Sequence, residues 1–212
     1  MHVQLKSGYI SQLYFNMQKN YSITSNYIIR TTKIPHDDRD FKDEYQNEVY
    51  LHATKLCQDY KYTTVTDIGC GSGYKLNKYF SQYDTVGYEI EPCYSYLRSK
   101  YPNKKWELSE FKNKLIDSDL IICADVIEHL TDPDLLIDWI YTSNFKHIIF
   151  STPDRDMLYE KQQCGPPYNT DHVREWTFFE FQKYLENKFK IIKHFHCIEC
   201  NTCQVCVCSP LL

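Results

Sequence analysis

The sequence predicts an α/β fold in which helices cover both faces of an open, mostly parallel sheet. A β-branched run at residues 64–68 leads into a glycine loop and a helix, the strand–loop–helix arrangement of nucleotide-binding sheets. Residues 119–124 carry a continuous apolar run, as expected of a strand buried on both faces. Strand and helix patterns alternate along the chain before a terminal hairpin, which indicates a layered α/β domain.

The bulk composition limits the class of protein. The 212 residues suit one α/β domain, 1–212, with a sizeable core. The formal net charge of −4, without a lysine or arginine block, argues against a large nonspecific nucleic-acid footprint. No stretch is long and apolar enough to span a bilayer, and the N-terminus lacks the apolar core of a signal peptide. We therefore expect a cytoplasmic protein without membrane contact.

The coding bias adds a hint about the source. Alanine occurs only at Ala53 and Ala124, while tyrosine, asparagine, lysine and isoleucine are plentiful. Such a skew is typical of an AT-rich genome, as in a low-GC microbe or a large DNA virus. For a virus, the cytoplasm in question would be that of the host.

The first elements lead up to the glycine loop. Residues 1–40 are polar and tyrosine-rich without a clear period, and we expect either a flap on the substrate side or a frayed tail. From 42 to 60, apolar residues recur at helical spacing, which predicts a helix packed on the sheet before the first strand.

Glycines then stand at alternate positions after the strand at 64–68. Gly69, Gly71 and Gly73 accept backbone angles that other residues resist, and a Cβ there would collide with a ligand resting on the main chain. Asp67, at the strand end, can order the loop or meet an ammonium group of the ligand. A glycine turn after any buried strand is the alternative. Residues 74–80 predict the following helix.

The second strand, 84–89, ends in an acid. Glu89 lies sixteen residues beyond Gly73, where a carboxylate can accept hydrogen bonds from both hydroxyls of a ribose. Ile90 follows and can press on an adenine face. A helix over 92–101, with Pro92 in its first turn, and a short strand over 104–108 come next.

The second half continues the alternation. A helix begins at Asp132 and Pro133, a strand covers 146–151, and a substrate-side loop spans 152–175. A helix over 176–188 precedes a hairpin of strands 190–198 and 202–208. Four cysteines of this hairpin, each three residues apart, fit a metal-binding spacing: Cys197, Cys200, Cys203 and Cys206. Free cysteine also behaves as a small buried hydrophobe, and we favour that interpretation.

The pattern Asp67-x-Gly69-x-Gly71-x-Gly73 resembles motif I of the class I S-adenosylmethionine (SAM) methyltransferases. The resemblance implies a Rossmann-like seven-stranded sheet of order 3-2-1-4-5-7-6, and SAM as the cofactor. In that family an aspartate often ends the third strand and binds the adenine amino group, whereas this chain has Ser109 there. The residues expected to hold SAM are Asp67, Gly69, Cys70, Gly71, Gly73, Glu89, Ile90, Ser109 and Asp125.

A second polar group lies beyond the central strand. Asp125, Glu128 and His129 follow it closely, and His172 lies far downstream. Both segments follow carboxyl ends of neighbouring strands, so we expect His172 to meet Glu128 and His129. Histidine can serve as general base towards a hydroxyl, and Mg²⁺ or Mn²⁺ can lower the pKa of that hydroxyl. These three are the expected catalytic residues.

Further resemblances address the acceptor. Glu128-His129-Leu130 with Ser151-Thr152-Pro153 resembles ubiquinone-type and sugar-modifying O-methyltransferases. The segment 165–181 resembles bacterial methyltransferases found with glycan assembly genes. Together they imply O-methylation of a nucleotide-linked or glycan sugar. We expect Arg174 to hold a substrate phosphate and Trp176 to stack on a ring.

Two alternatives stay open. Residues 126–130 with Asp171-His172-x-x-Glu175-Trp176-Thr177 are also similar to the small-RNA 3′-terminal 2′-O-methyltransferases, which hold a divalent metal with two glutamates and two histidines. That resemblance implies a metal set of Asp125, Glu128, His129 and His172, with Asp125 one methylene shorter than the family's glutamate. The other alternative is an inactive SAM-binding scaffold. The residues leave the modified hydroxyl and the oligomeric state open.

Overall fold

The computed structural model describes residues 20–32, 37–39, 45–112, 114–159 and 163–211. Its helices are α1 (Asn47–Tyr60), α2 (Tyr74–Tyr79), α3 (Cys93–Lys100), α4 (Pro133–Tyr141), α5 (Arg155–Leu158) and α6 (Phe178–Glu186), with a 3₁₀ turn at Ile127–His129. Its strands are β1 (Thr64–Ile68), β2 (Asp84–Glu89), β3 (Lys105–Leu108), β4 (Asp117–Ala124), β5 (Asn144–Pro153), β6 (Phe189–His196) and β7 (Cys203–Pro210).

The strands form one seven-stranded sheet of order β3-β2-β1-β4-β5-β7-β6, which confirms the predicted order. β1 to β5 run parallel, and β7 pairs antiparallel with both β5 and β6. Because the parallel strands share one direction, their carboxyl ends meet at one edge of the sheet, where ligands bind in such folds.

Two apolar layers cover the sheet, one on each face. In the central strand β4, Leu120 and Ile122 belong to the layer beneath α1, α2 and α3, while Ile121 belongs to the layer beneath α4 and α6. All three are fully buried. The alternation follows from the period of two in a strand, and it explains why the sequence is apolar at consecutive positions here. None of the helices in the described ranges has the length and apolar character needed to span a bilayer.

Some predicted boundaries differ from the structure. The helix predicted over 176–188 begins at Phe178, because Thr177 forms a capping box with Glu180. The helix predicted over 42–60 begins at Asn47, and residues 42–44 lie outside the described residues. The predicted substrate-side loop is interrupted: pairing with β7 extends β5 to Pro153, and Asp154 caps the short helix α5. The cysteine-rich tail forms the predicted hairpin.

The described part of the N-terminal region, residues 20–32, is called here the N-terminal strap. It lies across residues 163–177, the histidine loop. The main-chain N–H groups of Ile28 and Arg30 donate to the carbonyl oxygens of Cys164 and Val173. The Trp176 indole donates to the Tyr21 carbonyl over 2.9 Å. These bonds hold the strap against the loop that carries His172, whereas residues 1–19 and 33–36 lie outside the described residues.

Candidate active site

A cavity of about 560 Å³ lies at the carboxyl ends of the parallel strands. Its volume falls in the range typical of sites for small organic ligands. The glycine loop and Glu89 line one end, and the histidines of the second polar group line the other. Seven of the nine predicted cofactor residues line this cavity: Gly69, Cys70, Gly71, Glu89, Ile90, Ser109 and Asp125.

The glycine loop needs glycine partly because of its backbone angles and partly because of contacts with protein side chains, whereas the sequence predicted contact with a ligand. Gly69, Gly71 and Gly73 have φ values of 71°, 55° and 72°, a region that disfavours side chains. A Cβ at Gly69 would lie 2.3 Å from Val126 Cγ2, and one at Gly73 would lie 2.6 Å from Leu97 Cδ2. Protein packing therefore excludes a side chain at these two positions. Gly73 does not line the cavity, which corrects its predicted contact with the cofactor.

Glu89 is fixed by the loop that it faces. Its Oε2 accepts the Gly71 N–H over 2.8 Å, and its Oε1 accepts the Ile90 N–H over 2.8 Å. Each carboxylate oxygen has a further lone pair, so Glu89 can also accept hydrogen bonds from a ligand. Ile90 and Phe111 line the same end of the cavity. This end therefore combines a fixed acceptor with apolar surface, a combination suited to a nucleoside.

Asp67 is buried and does not line the cavity, which argues against direct contact with a ligand and leaves the other role expected from the sequence, ordering of the loop. Its side chain is fully buried, and Oδ2 accepts the Tyr50 hydroxyl over 2.9 Å. Oδ1 has no hydrogen-bond partner among the described residues. Burial raises the pKa of Asp67 to about 7, although the Tyr50 hydrogen bond and the charge of Lys75 act in the opposite direction.

Two further residues near Asp67 line the cavity, and one of them, Lys75, was not predicted from the sequence. Tyr50 and Lys75 both line the cavity, and the Lys75 ammonium lies 5.4 Å from the centre of the Tyr50 ring. Lys75 follows Gly73 by two residues, so a cation just after a glycine loop is a signal that could have been used. A lysine here suits a ligand carboxylate.

The structure brings Glu128, His129 and His172 together; the two histidines line the cavity, whereas Glu128 is fully buried and does not line it. One ligand atom from each lies within 4.8 Å of the others. Hydrogen bonds join the segments: among them, Val173 N–H donates to the Glu128 carbonyl over 2.8 Å, and His129 Nδ1 lies 2.9 Å from the Asp171 carbonyl. These bonds explain how residues more than forty positions apart form one cluster.

Asp125 lies on the cavity wall but outside this cluster. Its Oδ1 accepts the Ser151 hydroxyl over 2.7 Å and lies 3.8 Å from Cys203 Sγ. Its φ of 51° is unusual for a residue with a side chain. Of the four metal ligands expected from the sequence, the structure groups three, Glu128, His129 and His172, and Asp125 is not among them.

Glu128 is a buried carboxylate with one unpartnered oxygen. Oε2 accepts the Thr152 hydroxyl over 3.0 Å, whereas Oε1 lacks a hydrogen-bond partner within the described ranges. Burial, reinforced by the charge of Asp125, raises the pKa of Glu128 well above its usual value. An unpaired buried polar atom is costly, so this oxygen is suited to a proton or a cation supplied from the cavity.

The hydrogen bond of His129 determines its tautomer. The Asp171 carbonyl can only accept, so Nδ1 of His129 carries a proton and Nε2 keeps its lone pair. The His129 and His172 rings meet edge to face, with centres 4.8 Å apart. A carboxylate and two imidazoles so close together can take up a proton or hold a divalent cation.

Arg174 and Trp176 do not line the cavity, so their predicted role in binding substrate is wrong in this structure. Both are fully buried. The Arg174 guanidinium donates to the carbonyl oxygens of Leu130 and Thr131 and lies 4.4 Å from the centre of the Tyr21 ring. These contacts tie the histidine loop to the segment after the 3₁₀ turn and to the strap. Asn169 and Asp171 line the cavity instead, and the polar turn before His172 was the available signal.

Comparison with known proteins identifies the family. The family model described as a methyltransferase domain matches residues 43–196. No curated protein gives a significant match.

Solved structures share the fold at low identity. The methyltransferase domain of bacterial CtHen1-C is 20% identical, covers 77% of this chain and 97% of its own, and has a TM-score of 0.60. N-methyltransferase NodS from Bradyrhizobium japonicum WM9, in complex with S-adenosylhomocysteine (SAH), is 15% identical, with coverages of 84% and 94% and a TM-score of 0.62. Magnesium protoporphyrin IX methyltransferase (ChlM) from Synechocystis PCC 6803, with bound SAM, is 15% identical over both whole chains, with a TM-score of 0.61.

Asp67→Asn should remove a pH-dependent loss of stability. Since the pKa of Asp67 is about 7 in the fold and 3.8 otherwise, the native state retains a proton that the unfolded chain loses between those pH values. The wild type therefore loses stability as pH rises through that window. In urea unfolding, the stability of the variant relative to wild type should grow by up to about 4 kcal/mol from pH 4 to pH 8. A constant difference would contradict this interpretation.

Proposed function

The chain belongs to the methyltransferase domain family and uses S-adenosylmethionine, and from that premise we propose that it methylates a hydroxyl group of a sugar. The observation that carries this proposal is a cluster at the cavity: His129 and His172 line it, and next to them lies the buried carboxylate of Glu128, whose Oε1 has no hydrogen-bond partner among the described residues. A sugar hydroxyl is a poor nucleophile at neutral pH, so its methylation needs groups of this kind.

The donor set of the cavity fits SAM. Glu89 offers acceptor oxygens to the ribose hydroxyls, and Ile90 and Phe111 offer apolar surface to the adenine. Lys75 can balance the carboxylate of the methionine part, which would lie along the loop at Gly69 and Gly71. In this orientation the sulfonium points to the histidine end of the cavity.

The reaction then needs one proton acceptor and good alignment. The acceptor oxygen attacks the methyl carbon, the S–CH₃ bond breaks as the O–CH₃ bond forms, and SAH is the product. The hydroxyl proton passes to Nε2 of His129 or of His172, because Nδ1 of each ring is engaged by Asp171 or Glu175. The sulfonium is already activated, so the protein contributes mainly by holding the reactants in line.

Glu128, His129 and His172 are also the residues that would hold a divalent cation such as Mg²⁺ or Mn²⁺. A cation at this position would lower the pKa of the acceptor hydroxyl and orient it.

The same cluster favours a second candidate, methylation of the 2′-hydroxyl at an RNA 3′ end. A terminal ribose is also a sugar with two adjacent hydroxyls, which suit a cation held by carboxylate and imidazole groups. The formal net charge of −4 argues against extended RNA binding. The second candidate therefore requires recognition confined to the last nucleotides.

Tritiated SAM tests the acceptor class directly. The protein is incubated with nucleotide sugars, simple glycosides or short RNAs, each with and without EDTA. The proposal predicts label in the carbohydrate pools. Label confined to RNA and lost in EDTA would replace it with the second candidate. SAM binding without transfer to any acceptor would instead indicate a SAM-binding scaffold.

Gly71→Val should abolish SAM binding. Gly71 lines the cavity with a φ of 55°, so a β-branched side chain would strain the loop and fill ligand space. Calorimetric titration of the folded variant should give no binding heat. Tyr74→Val, just outside the cavity lining, is the matched control and should bind as wild type does. Wild-type affinity in Gly71→Val would refute the assigned cofactor position.

His172→Ala should separate chemistry from cofactor binding. His172 lies at the acceptor end, so its loss should leave SAM affinity nearly unchanged while lowering turnover by roughly 10²–10⁴-fold. The measurement is radiolabel transfer at saturating SAM, with His52→Ala on α1 as a control at a histidine outside the cavity. A wild-type rate in His172→Ala would remove this residue from the reaction.

A further inference from the structure

The histidine loop contains a fully buried carboxylate, Glu175, that the reaction above does not use. Its Oε1 lies 2.6 Å from His172 Nδ1 and also accepts the Tyr159 hydroxyl over 3.3 Å. Its Oε2 has no hydrogen-bond partner in the parts of the chain that are described. A short contact between a carboxylate and an imidazole nitrogen is a strong, charge-assisted hydrogen bond.

The hydrogen bond at the other nitrogen of the His172 ring, Nε2, shows which nitrogen carries the proton. Asn169 Nδ2 is 2.9 Å from His172 Nε2, while Asn169 Oδ1 accepts the Asp171 N–H over 3.0 Å. The bond to Asp171 fixes the amide orientation, so an NH₂ group faces Nε2. Because an NH₂ group only donates, Nε2 accepts and Nδ1 carries the proton. The two neighbours of His172 therefore select the same tautomer.

Glu175 is held in place independently of His172. Its main-chain N–H donates to the Tyr27 hydroxyl over 3.1 Å, and its carbonyl accepts from Arg155 Nη1 over 2.9 Å. The nearby Arg155 cation pairs with Glu180, at 2.9 Å, rather than with the Glu175 carboxylate. The Glu175 carboxylate therefore interacts with His172, whereas Arg155 pairs with Glu180.

We propose that Glu175 is a positioning residue for methyl transfer: it holds the proton of His172 on Nδ1 and thereby presents the lone pair of Nε2 to the cluster. The proposal rests on the proposed function only in that His172 takes part in the reaction. A hydrogen bond of this kind orients the ring and makes its second nitrogen a better base or ligand. The acceptor or a cation would displace the Asn169 amide from Nε2.

Nuclear magnetic resonance of protein with ¹⁵N-labelled histidine tests this arrangement without an acceptor. In the wild type bound to SAH, His172 should show a far-downfield N–H proton attached to Nδ1. In Glu175→Gln, which keeps a neutral acceptor, this resonance should move upfield, and in Glu175→Leu it should disappear through solvent exchange. Glu180→Gln alters a neighbouring carboxylate that does not contact His172, so it should leave the resonance unchanged.

Turnover provides the second readout. Glu175→Leu should lower the rate of methyl transfer by roughly 10–100-fold at unchanged SAM affinity, and Glu175→Gln should recover part of that loss. A proton on Nε2 in the wild type, or a resonance insensitive to both substitutions, would overturn the proposal. If Glu175→Leu fails to fold, the wild-type and Glu175→Gln spectra decide the question.

The two proposals fail in different ways. If no sugar or RNA accepts a methyl group, the proposed function is wrong, but the Nδ1–H resonance still reports the pairing of His172 with Glu175. If the resonance is absent while radiolabel transfer proceeds, Glu175 is not the positioning residue and the proposed function stands.

Discussion

The buried carboxylate of Glu128 is the constraint on which the acceptor end of the cavity depends. The residue has no solvent exposure and lies in the 3₁₀ turn just after β4. Its side chain accepts from Thr152 on β5, and its main-chain carbonyl accepts from Val173 in the histidine loop. One residue therefore joins the turn, the strand and the loop. His172 reaches the cluster because its own segment is fastened to the residue that it meets.

The histidine pair shows a common way of controlling protons. His129 donates from Nδ1 to a main-chain carbonyl, and His172 lies against a buried carboxylate at the same ring position. In both, the hydrogen bond is made by Nδ1 and holds the proton there, so the lone pair of the ring lies on Nε2. The proposed chemistry therefore depends on the hydrogen-bond partners of the histidines, Asp171 and Glu175, as much as on the groups that would touch the acceptor.

The sequence places Glu89 correctly beside the glycine loop because the signals there are local. Glu89 follows the glycine loop within one strand–helix–strand unit, so spacing alone places it at the carboxyl edge beside Gly71. The assignments of Arg174 and Trp176 failed because their partners come from elsewhere: Tyr21 lies some 150 residues away and covers both side chains. Charge and aromatic character cannot reveal that burial. The position of Asp67 also depends on a residue from another element, because its buried carboxylate accepts a hydrogen bond from Tyr50 on α1.

The measurement that tests the account most directly is a crystal structure of the protein with SAH. The account predicts that the ribose lies against Glu89 and that the sulfur lies at the end of the cavity next to Glu128, His129 and His172, with room for a hydroxyl between them. A complex in which the sulfur points away from these three residues, or in which SAH binds outside this cavity, would contradict it.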